Sequence, residues 1–84
     1  SYVLGPGDQI AIELFGQADI SKTYTVLIDG TVSLPMVGNV PVRGLTLKQA
    51  AAAISAQYAR YFKRPIVTAR LEASRPIAIG ISGE

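Results

Sequence analysis

Strand-like alternation on both sides of a single well-capped amphipathic stretch predicts an α+β fold: a small mixed β-sheet of about five strands with one main α-helix packed on it. Two further observations support this class. Asp29-Gly30 stands between two runs of strand-forming residues, and proline or glycine punctuates nearly every other change of pattern.

Gly5, Pro6, Gly7 and Asp8 open the chain with a turn. Proline presets the second turn position, glycine takes the positive-φ third position, and the aspartate accepts bonds from nearby backbone N–H groups. A phosphate-gripping loop would want more glycines and a helix directly after them. The next residues read instead as a strand over residues 9–14, with Ile10, Ile12 and Leu14 on one face and Gln9, Ala11 and Glu13 on the other. Phe15-Gly16 ends it, and residues 17–22 read as a polar loop.

Residues 23–34 read as a β-hairpin. A two-residue loop would pair Ile28 with Thr31 and mix polar with apolar on both faces. A three-residue loop over Ile28, Asp29 and Gly30, a type I turn closed by a glycine bulge, pairs Val26 with Val32 and Tyr24 with Leu34 and so gives one apolar face. Pro35 ends that strand, Gly38-Asn39 is expected to turn, and residues 40–43 form a short edge strand because Pro41 has no N–H for a ladder. Gly44 redirects the chain.

The helix signal is the strongest local one. Thr46 is a natural N-cap with Gln49 three residues on, the reciprocal capping box, and the cap should contribute about 1 kcal/mol. Leu45 staples against Ala50, and Leu47, Ala50, Ala51, Ile54, Tyr58, Tyr61 and Phe62 recur at helical spacing as one buried stripe. Arg60, Lys63 and Arg64 are expected at the helix C-terminus, either as a solvated end that suits the dipole or as a contact to an acidic partner. Pro65 stops the helix. Residues 66–73 form a strand with Val67, Ala69 and Leu71 inward, Arg75-Pro76 breaks it, and residues 76–82 read as a last strand with isoleucines on one face. A chain that starts on a turn and stops just after a strand is expected to be part of something longer.

Composition narrows the function classes. The 84 residues suffice for one modest core, and 49% apolar content is that of a globular domain. There is no cysteine and no histidine, so thiolate metal sites, disulfides and histidine general bases are excluded. The net charge of +2 permits an anionic partner without demanding one. No run approaches the roughly twenty apolar residues of a membrane span, and Ser1-Tyr2-Val3, leading straight into a turn, is not expected to be part of a signal peptide. The acids Asp8, Glu13, Asp19, Asp29, Glu72 and Glu84 show no spacing suited to a carboxylate pair or a metal site, and the serines have no histidine to activate them. Neither an enzyme nor a cofactor is therefore expected. Nucleic-acid binding is disfavoured, because Tyr58, Tyr61 and Phe62 fall on the core stripe of the helix and not on an exposed strand platform.

Taken together, Tyr2-x-Leu4-Gly5-Pro6-Gly7-Asp8, the Ile10-x-Ile12 strand, Asp29-Gly30 with Leu34-Pro35 and Gly38, Gly44-Leu45-Thr46-Leu47 opening a helix, and Pro65-x-Val67 opening a strand resemble the periplasmic domain of polysaccharide export proteins. The resemblance covers nearly the whole chain. It divides the chain into an export domain over residues 1–74 and, over residues 75–84, the first strand of a following β-grasp repeat. It maps the turn and packing residues of the family onto Gly5, Pro6, Gly7, Asp8, Asp29, Gly30, Pro35, Gly38, Gly44 and Thr46, none of them catalytic. It implies a homo-oligomeric ring around a conduit for capsular or exopolysaccharide, facing an inner-membrane co-polymerase, in a periplasmic domain of an outer-membrane lipoprotein of a Gram-negative bacterium, anchored outside these residues. A glycan-binding envelope module that forms no channel is the alternative. Within the conduit reading Arg43, Lys48, Arg70 and Arg75 are candidates to face an acidic polymer, set against the simpler view that they are ordinary solvated charges.

Overall fold

The computed structural model describes residues 1–76. Its elements are β1 (Gln9–Leu14), β2 (Lys22–Thr25), β3 (Thr31–Leu34), β4 (Gly38–Pro41), α1 (Leu47–Tyr58) and β5 (Val67–Ala73). The α+β class, five strands and one helix are as the sequence predicts. The strands divide between two antiparallel sheets, one ordered β2-β1-β5 and a two-stranded ribbon of β3 and β4. The last strand expected from the sequence lies outside the described residues.

Central β1 follows from its alternation. Ile10, Ile12 and Leu14 are buried. They stand opposite Leu71, Ala69 and Val67 of β5, so the inward faces of both strands coincide and lie under the helix. A bulge at Gln9/Ile10 leaves Glu72 of β5 without an opposite number. On the other edge, β2 pairs Tyr24 with Ile10. The loop between β1 and β2 is less polar than its sequence suggests, for it buries Ile20. It is stitched by the Ser21 hydroxyl, which accepts from the Leu14 N–H at 3.0 Å and donates to the Gln17 carbonyl at 2.9 Å.

Three expectations need correction. The tip of the hairpin over residues 23–34 forms as predicted: the Gly30 N–H donates to the Leu27 carbonyl at 2.8 Å, the Leu27 N–H donates to the Thr31 carbonyl at 2.7 Å, and Gly30 has φ +84°. Its arms nevertheless part beyond that rung. Val26 keeps to the first sheet, donating to Asp8 and accepting from Gly7, whereas β3 pairs with β4 and buries Val32 directly opposite Val40.

The turn expected at Gly38-Asn39 falls earlier. Pro35, Met36 and Val37 form a tight turn closed by the Val37 N–H on the Pro35 carbonyl at 2.8 Å, with Met36 at φ +72°, and Gly38 already opens β4.

The helix ends at Tyr58, well before Pro65, although its start is as predicted, with the capping box of Thr46 and Gln49 complete. The Tyr58 carbonyl accepts from both the Tyr61 and Phe62 N–H groups, a tightening that ends the helix, and Arg64 at φ +47° reverses the chain. Tyr61 is therefore 48% exposed instead of joining the stripe, and Arg60, Lys63 and Arg64 lie in the loop beyond the helix.

Candidate functional site

Five of the residues that sequence reasoning selects, Gly5, Pro6, Gly7, Asp8 and Arg75, gather at one end of the molecule, where β1 begins and β5 finishes. There the turn of Gly5, Pro6, Gly7 and Asp8 closes with the Asp8 N–H on the Gly5 carbonyl, with Gly7 at φ +96°. Two backbone bonds tie the adjoining N-terminal segment to the helix entry, from the Leu4 N–H to the Leu45 carbonyl and from the Gly44 N–H to the Leu4 carbonyl.

Asp8 is fully buried, and its carboxylate is completely engaged. Oδ1 accepts from the Tyr2 hydroxyl at 2.8 Å and from the Arg75 N–H at 2.5 Å. Oδ2 accepts from the Gly5 N–H at 2.9 Å and from the Arg75 guanidinium at 2.7 Å. That guanidinium also lies over the Tyr2 ring, 5.3 Å from its centroid. Burial alone would push the Asp8 carboxyl up, but the Gly5 N–H, the Tyr2 hydroxyl and the N–H and charge of Arg75 outweigh it and hold the group below its ordinary value. Gly5 gives the arginine room, since a Cβ there would stand 2.9 Å from the guanidinium nitrogen. The cluster is thus a clasp between the N-terminal turn and the segment just after β5.

The other selected residues are dispersed. Asp29 braces its own turn by accepting from the Thr31 N–H at 3.0 Å and the Thr31 hydroxyl at 2.7 Å, bonds that lower its carboxyl from the ordinary value. Gly30 lies against Arg43, where a Cβ would come within 2.7 Å of the arginine Cβ. Pro35 presents its carbonyl to the buried Tyr58 hydroxyl at 2.8 Å, and burial, with the nearby Tyr24, pushes that phenol up to about 12. Gly38 and Gly44 face open space, and Thr46 caps the helix.

The four cations singled out as polymer-facing do not converge. Arg75 is bound to Asp8, and Arg43 packs on Gly30. Lys48 is exposed on the first turn of α1, and Arg70, on the outward face of β5, lies 4.0 Å from Glu72. Sequence reasoning named Asp8 and Arg75 but not their pairing, which spans 67 positions and leaves no local signal.

Among the described residues no group of acids could hold a metal ion, and no helix is long and apolar enough to cross a membrane. Buried side-chain polar atoms all have partners among the described residues. The four bonds to Asp8 hold the N-terminal turn and the segment after β5 in one arrangement.

Comparison with known proteins finds similarity over nearly the whole chain. Residues 1–72 match the family described as polysaccharide biosynthesis/export protein. Two relatives, both polysialic acid transport protein KpsD of Escherichia coli, are 29% and 28% identical over 83 residues, or 98% of this chain. The chain spans 15% of the length of these curated relatives.

Proposed function

Because this chain belongs to the polysaccharide biosynthesis/export protein family, we propose that it is a non-enzymatic structural module of an outer-membrane polysaccharide exporter, forming part of the periplasmic ring of a conduit. The role in polysaccharide export rests on the family match over residues 1–72, and that observation carries the reading. The geometry supports the non-enzymatic part: the one carboxylate buried among the described residues is fully occupied by donors of its own chain.

In this reading residues 1–74 are the export domain and residues 75–84 open the β-grasp repeat next to it. The family match ends at residue 72, close to that boundary. The protein that carries this domain works in the envelope of a Gram-negative bacterium, anchored by segments outside these residues, with copies of itself, an inner-membrane co-polymerase and the polysaccharide as partners. The polymer is acidic, as the name of the two relatives suggests by analogy.

The test is made in an exporting strain whose exporter carries these residues. Its native mass in detergent is compared with that of the denatured chain, and surface polysaccharide is measured with and without residues 1–74. A native mass that is a large multiple of one chain, with surface polymer lost on deletion, is expected. A single-chain mass would leave a glycan-binding module without a ring, and unchanged surface polymer would remove the export role.

A further inference from the structure

The end of the molecule opposite the clasp is built differently. Where β1 finishes at Leu14, the loops over residues 15–21 and 59–66 meet, joined by the Phe15 N–H on the Ile66 carbonyl at 2.9 Å. The turn of Pro35, Met36 and Val37 meets the C-terminal residue of the helix through the Tyr58 hydroxyl. These loops carry four large apolar side chains that remain exposed: Phe15 (77%), Met36 (55%), Tyr61 (48%) and Ile66 (59%). They also carry both non-glycine residues with positive φ among those described, Met36 and Arg64. A left-handed backbone at an arginine is unfavourable where glycine would be at ease, and such strain collects at binding sites.

Between the first two loops lies a groove of about 210 Å³, lined by the apolar Phe15, Phe62 and Ile66 and by the polar Gln17, Lys63 and Arg64. No carboxylate lines it. Neither Lys63 nor Arg64 has an ion-pair partner among the described residues. Glu13 lines an adjoining recess that shares Phe15 and Ile66 with the groove.

We propose that this groove binds one carboxylated sugar unit of an acidic polysaccharide. A pyranose has an apolar C–H face and a polar rim, and the groove offers both halves of the complement. Phe15, Phe62 and Ile66 cover the face, as apolar side chains do in small-ligand sites. The amide of Gln17 takes ring hydroxyls, and Lys63 with Arg64 takes the carboxylate, the planar guanidinium fitting it through two parallel bonds.

Size and shape argue for a sugar over other anionic occupants. A stable protein partner would need about 800 Å² on each side, far beyond one such groove. A bilayer surface would be met by a convex face and not by a recess. The inference depends on the export reading only in that the reading supplies the polymer. It also moves the polymer contact from the cations singled out in the sequence to Lys63 and Arg64.

The test is an amide NMR titration of the purified chain with carboxylated trisaccharides, one of a hexuronic acid and one of a nonulosonic acid. Maltotriose serves as the neutral control and hexaglutamate as the acidic peptide control. At least one acidic sugar is expected to shift Phe15, Gln17 and residues 62–66, more weakly as salt rises. Arg64→Gly and Phe15→Ala should each weaken that binding by about tenfold while amides distant from the groove stay unmoved. No shift with either acidic sugar, equal binding of maltotriose, or equal binding of hexaglutamate would each overturn the assignment. In the exporting strain, export lost on deletion of residues 1–74 but intact in both groove variants would sink the groove and leave the export reading standing.

Discussion

Replacing Asp8 by asparagine probes the clasp with little change of shape. The carboxylate accepts four hydrogen bonds, two on each oxygen, and asparagine keeps only one oxygen. Whichever way the amide turns, its NH₂ faces two donors and can accept from neither. If the amide oxygen replaces Oδ2, the Arg75 N–H loses its acceptor, and the Tyr2 hydroxyl can no longer donate there and can only accept from the NH₂. If it replaces Oδ1, the Gly5 N–H and the guanidinium lose theirs.

Each stranded donor costs about 1–3 kcal/mol, at the low end where water reaches it, so Asp8→Asn should lose about 2–4 kcal/mol. An 84-residue domain has a total stability of about 4–13 kcal/mol, so the loss is a large share and lowers the melting temperature by on the order of 10–30 °C. Arg75→Ala should cost less, about 1–2 kcal/mol, because the arginine side chain is 38% exposed and its backbone N–H still reaches Asp8. The folded-state value of Asp8 lies below the ordinary one. Its stabilisation is therefore fully present above the unfolded carboxylate value and is lost as pH falls through about 4 and below. Urea melts followed by circular dichroism across that range measure both effects. The clasp is refuted if Asp8→Asn is no less stable than an Asp29→Asn control, or if it keeps the acid limb of the parent.

Two further predictions concern the turns. Gly30→Ala and Gly38→Ala both place a Cβ on a left-handed residue, at φ +84° and +75°, which costs about 1–2 kcal/mol. At Gly30 that Cβ also stands 2.7 Å from the Arg43 Cβ, whereas at Gly38 nothing lies within 4 Å, so Gly30→Ala should be clearly the more destabilising in a chemical melt. Tyr58 keeps its proton to about pH 12 when folded, so stability should fall as pH rises from about 10, where an unfolded tyrosine ionises. Tyr58→Phe should flatten that alkaline limb, and tyrosinate absorbance against pH reads the same group directly.

What the sequence reveals and what it hides separate along one physical line. The strand over residues 9–14, the inward face of β5, the turn of Gly5 to Asp8 and the capping box of Thr46 and Gln49 are each decided within a few residues, and each stands as read. The helix end does not, because the pattern of Tyr58, Tyr61 and Phe62 continues while the backbone has already turned. Met36 and Arg64 give no warning of positive φ, since neither residue type prefers it. The parting of β2 from β3 depends on what each strand finds as a neighbour, Gly7 and Asp8 for one and β4 for the other, and the turn between them is the same either way. For the clasp, the turn role of Asp8 is legible in the sequence and its pairing with Arg75, 67 positions away, is not.

The clasp changes what the Gly-Pro-Gly-Asp turn is for. Closing such a turn needs one side-chain acceptor for the Gly5 N–H, and serine or asparagine would provide it. A carboxylate is needed only because four donors arrive at one buried point, two of them from Arg75. Burying an unpaired carboxylate is unfavourable, so Asp8 and Arg75 hold each other in place: the charge is tolerated because the arginine comes, and the arginine is fixed because the charge is there. Since one of those donors is the Arg75 backbone N–H, the clasp fixes main chain as well as side chain just after β5. A turn at the start of the domain thereby fixes the backbone just after β5, so the two ends of the described residues are held to one another through a single buried charge.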